Sequence, residues 1–115
     1  MYDIVIKPWG TYQVIKEKDS CYKVKHICVL PGKRLSLQSH QHRAEHWVIV
    51  KGNAWVQLGD LYYRLKENEH IYIPANEKHR IENCGDDVLE FIETQCGSYL
   101  GEDDIIRYDD DYGRV

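Results

Sequence analysis

At 115 residues, with a formal net charge of −4 and a pI near 5.8, the chain is long enough to enclose a hydrophobic core and reads as one domain over residues 1–115. The acidic balance argues against nucleic acid or an anionic membrane as partner, and no apolar run approaches the roughly 18–20 residues of a membrane span. The opening MYDIVIKPWG lacks a charged region followed by an apolar one, so no secretory leader is expected and the cytoplasm is the default compartment. Cys21, Cys28, Cys84 and Cys96 form no C-x-x-C pair, which argues against a zinc knuckle or a dithiol redox site and predicts free thiols.

In chain order, residues 2–6 and 11–16 read as short strands, separated by Lys7-Pro8-Trp9-Gly10. Residues 21–30 alternate polar and apolar and stop at Pro31-Gly32, a strong turn signal. Further strands are predicted over 35–40, 45–51, 54–58, 61–66, 69–73, 79–83 and 87–95, punctuated by Gly, Asn, Asp and Pro clusters. Nothing before residue 96 sustains a 3.6-residue apolar repeat, so the fold class is all-β, an antiparallel sandwich or barrel. The acidic, aromatic stretch 97–115 reads as an irregular C-terminal arm with one helical turn near 102–107. Trp47, Val48, Ile49 and Val50 make both faces of their strand apolar, and the face not turned to the core needs a cover. A second sheet, the arm or another subunit would serve, and a homodimer is the simplest expectation.

The densest chemistry lies in LSLQSHQHRAEHWVIVKG, residues 35–52, where Gln38, His40, His42, Glu45 and His46 crowd into nine positions. Side chains of an extended chain alternate between faces, so Gln38, His40 and His42 would share one side, and a turn at 41–44 would let Glu45 face them. Imidazole nitrogen with carboxylate oxygen suits a borderline divalent metal. Such a site needs a ligand from elsewhere. His79, which opens a strand after Pro74-Ala75-Asn76-Glu77-Lys78, is the best candidate, ahead of His70 and His26.

These residues carry a family resemblance. Gly32, Gln38, His40, Glu45 and Gly52 resemble the first cupin motif in its glutamine variant, and Pro74, Asn76, His79 and Asn83 resemble the second. Asn68 and Asn76 stand where glycine is usual, and both tolerate left-handed backbone. More narrowly, KPWGTY, PGKRLSLQSHQHRAEHWVIVKG, ENEHIYIPANEKHRIEN and YLGEDDIIRYDDDYGR resemble type II mannose-6-phosphate isomerases. Lys7 replaces the more usual arginine beside Pro8, which keeps charge but loses a bidentate fork. In that family this cupin is commonly joined to a mannose-1-phosphate guanylyltransferase, so the resemblance implies a stand-alone isomerase domain with a cupin jelly-roll barrel.

It also implies interconversion of mannose 6-phosphate and fructose 6-phosphate, a hexose-phosphate aldose–ketose exchange through an enediol. Such chemistry needs a Lewis acid, a proton carrier and a cation for the phosphate. The resemblance assigns Gln38, His40, Glu45 and His79 to one divalent metal, zinc first, with iron, manganese, nickel or cobalt also compatible. His42 remains an alternative ligand and is the expected proton carrier, since imidazole as a side-chain type can exchange a proton near neutral pH. Lys33 and Glu82 are weaker candidates for the base. Arg43 and Arg80 lead for the phosphate because each adjoins a metal-site residue; Arg34, Arg107 and Lys7 are further candidates. Rival readings are a non-enzymatic sugar-phosphate-binding cupin, a metal-dependent dioxygenase and, without metal, a nucleotide-sugar epimerase.

Overall fold

The structure, a computed structural model, describes residues 2–115. Its strands are β1 (Ile4–Lys7), β2 (Gly10–Lys18), β3 (Tyr22–Val29), β4 (Leu37–Ser39), β5 (Arg43–Lys51) and β6 (Ala54–Leu58). After them come β7 (Leu61–Leu65), β8 (His70–Ile73), β9 (His79–Asn83), β10 (Leu89–Gly97) and β11 (Ile106–Asp109). They form two antiparallel sheets, a six-stranded one in the order β1-β2-β3-β10-β5-β8 and a five-stranded one in the order β11-β4-β9-β6-β7. The fold is all-β. No helix among the described residues is long and apolar enough to cross a membrane.

The predicted strands are present, with ends shifted by a few residues. The arm departs from expectation: residues 106–109 form β11, which pairs with β4, and no helical turn occurs over 102–107. β4 is only three residues long and would otherwise leave its outer edge unpaired; the arm supplies the missing strand. The four cysteines are free, as their spacing predicts.

Period-2 alternation sorts each central strand into an inner and an outer row. On β5 the inner row is Arg43, Glu45, Trp47 and Ile49, and on β10 it is Leu89, Phe91, Glu93 and Gln95; all eight are buried. The two rows pair in register, Glu93 opposite Trp47 and Gln95 opposite Glu45. Both rows are therefore apolar at one end and polar at the other. At the apolar end Ile49, Leu89 and Phe91 join Val29, Val56, Ile73 and Ile81 in the core. Each such side chain contributes about 1.5–3 kcal/mol of burial free energy. The polar end is the site described next.

Two asparagines hold the turns that frame this arrangement. Asn68 and Asn76 sit at φ 70° and 68°, the left-handed region that their resemblance to motif glycines anticipates. Outside the six-stranded sheet, Val48 (43% exposed), Val50 (52%) and Tyr72 (51%) are uncovered, so neither the second sheet nor the arm reaches them.

Candidate metal centre

Three segments bring the central residues together. His40 follows the end of β4, and its carbonyl accepts the Asn76 amide at 2.7 Å, which ties it to the turn before β9. β9 begins at His79, and His79 pairs directly with Gln38 of β4, so both side chains project from one face of the sheet. Glu45 comes from the inner row of β5. The ligand atoms of His40, Glu45 and His79 all lie within 4.8 Å of one another, and all three residues are buried. Glu45 Oε2 is 3.4 Å from His40 Nδ1, and Oε1 is 3.9 Å from His79 Nε2.

Buried charge needs compensation, and the site provides it locally. Arg43 Nη2 is 2.8 Å from Glu45 Oε2 and 2.9 Å from His40 Nε2, and Arg43 Nε also donates to Oε2. The Trp47 indole donates to Glu45 Oε1 at 2.9 Å and to Glu93 Oε1 at 3.1 Å. Gln95 Nε2 donates to Glu93 Oε2 at 2.7 Å.

Protonation follows from these contacts. Burial lowers His40 to about 4, with Glu45 pulling the other way, and burial likewise lowers His79. Both imidazoles are therefore neutral near pH 7. Burial pushes Glu45 up, but the positive neighbours, of which Arg43 is the one still charged at neutral pH, outweigh it and hold the carboxylate ionised. Burial and then the charge of Glu45 raise Glu93 to about 8, so it carries its proton at neutral pH.

The donors fit a divalent metal. His79 Nδ1 lies 2.9 Å from the Glu77 carbonyl and donates to it, which leaves the Nε2 lone pair directed at Glu45. His40 accepts from Arg43 through Nε2, so a metal bound at that nitrogen would have to displace the guanidinium. Two neutral imidazoles and one ionised carboxylate are a ligand set for a borderline divalent ion. The side chains do not distinguish zinc from its neighbours.

These residues line a cavity of about 140 Å³ together with Gln38, Arg43, Trp47, Glu93, Lys7, Lys25, Arg107 and Arg114. Lys25 Nζ is held by Glu102 at 2.8 Å, and Arg114 by Asp110 at 2.9 and 3.0 Å. Arg107 differs: its Nε is buried without a hydrogen-bond partner among the described residues. Burial and then the neighbouring charge of Arg114 lower the Arg107 pKa. A cation held beside another cation, with a donor unspent, is a place for an anion.

Two expected residues lie elsewhere. His42 is exposed, edge-on to Tyr99 with ring centroids 6.2 Å apart, and does not line the cavity. The alternation that placed it beside His40 breaks, because β4 ends at Ser39 and β5 starts only at Arg43. Arg80 follows His79 on a continuous strand and so faces the opposite side. There it donates to the Leu35 and Asp109 carbonyls and pairs with Asp109 at 3.1 Å, beneath the arm. His46, exposed against Tyr72, is also outside the site. Glu93, Lys25 and Arg114 were not anticipated. An acid at an inner position of the alternating run Leu89–Gln95 was the legible signal for Glu93.

Residues 1–110 match the family described as mannose-6-phosphate isomerase C-terminal. The chain belongs to this family. Among curated relatives, the xanthan biosynthesis protein XanB of Xanthomonas campestris pv. campestris is 53% identical over 111 residues, covering 96% of this chain and 24% of that protein. The mannose-1-phosphate guanylyltransferase ManC of Salmonella typhimurium is 50% identical over 115 residues, covering 100% of this chain and 24% of that one. This isomerase-family chain thus spans about a quarter of the length of the curated relatives it matches. A cupin-2 domain from Rhodospirillum rubrum superposes with a TM-score of 0.75 at 21% identity, over 90% of this chain and 78% of that one. The double-sheet fold is therefore cupin-like.

Proposed function

We propose that this chain is a metal-dependent isomerase interconverting mannose 6-phosphate and fructose 6-phosphate, with zinc as its ion. The reading rests on one observation: a buried His40–Glu45–His79 triad shares a cavity with Arg107, whose Nε has no partner among the described residues, in a member of an isomerase family. His40, Glu45 and His79, joined by the Gln38 amide, would hold the metal. The ion would supply Lewis-acid stabilisation to the sugar oxygen that becomes negative in the transition state.

The remaining steps fall to the chain's own groups. Arg107 and Arg114, with Lys7 beside them, bind the phosphate and fix the sugar along the cavity. Glu93 replaces His42 as the proton carrier, since its carboxyl lines the cavity and burial raises its pKa from the ordinary carboxylate range toward neutrality. The Trp47 indole and the Gln95 amide orient that carboxyl. Arg43 holds Glu45 ionised and turned toward the histidines.

Residues 1–115 form, on this reading, a single cytoplasmic domain whose two sheets close as a jelly-roll barrel. A second copy covers Val48, Val50 and Tyr72 on β5 and β8. The deciding experiment is a coupled assay from mannose 6-phosphate to fructose 6-phosphate, before chelation, after it, and after zinc add-back. Activity should vanish and return with the metal. Turnover by fully stripped protein would defeat the mechanism, and saturable sugar-phosphate binding without turnover would leave a binding protein instead.

A further inference from the structure

The outer face of the six-stranded sheet carries a second convergence of ligand-type side chains. His26 and Cys28 alternate on β3, and both point away from the core because Lys25, Ile27 and Val29 point into it. On the next strand, β10, the register sets Glu90 directly opposite Cys28 and Ile92 opposite His26. Glu90 therefore shares their face, on the opposite side of the strand from its buried neighbours Leu89 and Phe91. Its Oε1 lies 2.9 Å from His26 Nε2, and Cys28 Sγ lies 3.8 Å from the same nitrogen. One ligand atom from each residue lies within 4.8 Å of the other two. None of these residues lines the cavity.

We propose that His26, Cys28 and Glu90 form a second metal site, which takes a zinc-class divalent cation independently of the cavity. The spacing suits it. Ligands about 2.0–2.3 Å from a tetrahedral ion lie roughly 3.3–3.8 Å apart, and the two separations at His26 Nε2 are 2.9 and 3.8 Å. The remaining pair, Cys28 Sγ and a Glu90 carboxylate oxygen, lies within 4.8 Å, so rotation of these part-exposed side chains would close the three around an ion. Regular pairing of β3 and β10 holds the backbone beneath all three, so little ordering is required on binding.

The donor set also selects the ion. One sulfur, one imidazole nitrogen and one carboxylate oxygen favour zinc, cobalt or nickel over magnesium or calcium, which prefer oxygen alone. Cys28 binds as thiolate: the S–H bond breaks, the sulfur keeps the electron pair for the metal, and the proton leaves to solvent. His26 is 35% and Glu90 30% exposed at the side chain, so water can fill the fourth position. Three protein ligands plus an open position is the pattern of an exchangeable site rather than a closed structural one.

The test uses the full chain, stripped with a chelator and titrated with cobalt(II). Tetrahedral cobalt bound to a thiolate gives a near-ultraviolet charge-transfer band, which a His/carboxylate site cannot give. Two equivalents should bind, and the band should saturate with one of them. His79→Ala should abolish the other equivalent and leave the band. Cys28→Ser should abolish the band, and Glu90→Gln should weaken the affinity read from it by at least about tenfold. If Cys28→Ser fails to fold by circular dichroism, His26→Gln takes its place, with the same weakening expected. A wild-type protein without the band, a band that survives Cys28→Ser, or an unchanged affinity in His26→Gln would overturn the proposal. None of these readings depends on sugar phosphate, so failure here is separable from failure of the isomerase reading.

Discussion

The two triads use similar donors in opposite settings, and the contrast shows what a ligand set needs before it can do chemistry. His40, Glu45 and His79 come from three segments, are buried, and are surrounded by Arg43, Glu93 and Arg107. His26, Cys28 and Glu90 come from two neighbouring strands in plain register, half-exposed, with no cavity. Burial makes the inner histidines neutral and raises Glu93 toward neutrality, and the walls set Glu93 and the unspent Arg107 donor in the same cavity as the triad. The outer triad has donors alone. We therefore assign turnover to the first and exchangeable binding to the second.

The sharpest break between them is His79→Ala. Losing a buried ligand should remove the cavity metal and lower kcat/KM by at least about a hundredfold, the scale of losing a charge-stabilising group. Metal content by mass spectrometry and the coupled assay should fall together. Glu93→Gln should keep the cavity metal but lower kcat by roughly 10²–10⁴-fold, the usual share of a proton carrier. Unchanged kcat would return the proton carrier to the unknown.

Glu93 also makes a stability prediction. Its folded pKa of about 8 stands above the ordinary 4.5, so the native state holds a proton that the unfolded state releases first. The carboxyl's contribution is fully present below about pH 4.5 and is lost as pH rises through about 8. Thermal melts of chelated protein should show wild type losing stability relative to Glu93→Gln across that interval, and no further above it. Parallel curves would mean that Glu93 is ionised throughout.

Arg107→Ala tests the anion site, which the outer triad lacks. KM for the sugar phosphate should rise by about tenfold to a hundredfold, the worth of a hydrogen bond to a charged group, with a smaller effect on kcat. Asn76→Ala has the smallest expected effect. It forces a β-carbon-bearing residue without a local polar side chain into φ 68°, at a cost of about 1–2 kcal/mol, and should loosen His40 through the Asn76–His40 bond. Asn76→Gly should restore stability. The outer triad, resting on straight strands, has no corresponding turn to break.

The contrast also explains what the chain revealed before folding. Gln38, His40, Glu45 and His79 were legible because motif spacing and strand alternation together constrain them. His42 failed where alternation stops, between Ser39 and Arg43, and Arg80 failed because neighbours on a strand face opposite sides. The outer triad was not legible: His26 and Cys28 are two apart, but Glu90 joins them only through the β3–β10 register. The strand pattern was readable from turn residues and apolar alternation. β11 was not, since its partner β4 is far away in sequence and two of its own four residues are charged.

That last strand has a consequence for biosynthesis. β11 pairs Arg107 with Gln38, so one wall of the pocket is laid down only after every strand around the triad has been made. A nascent chain carries all three residues of the buried triad once β9 has emerged, yet it lacks Arg107 and Arg114 until residues 106–114 follow. A chain clipped after β10 would unpair the outer edge of β4 and lose Arg107 and Arg114 at one stroke, leaving the buried triad without two of the cations that share its cavity.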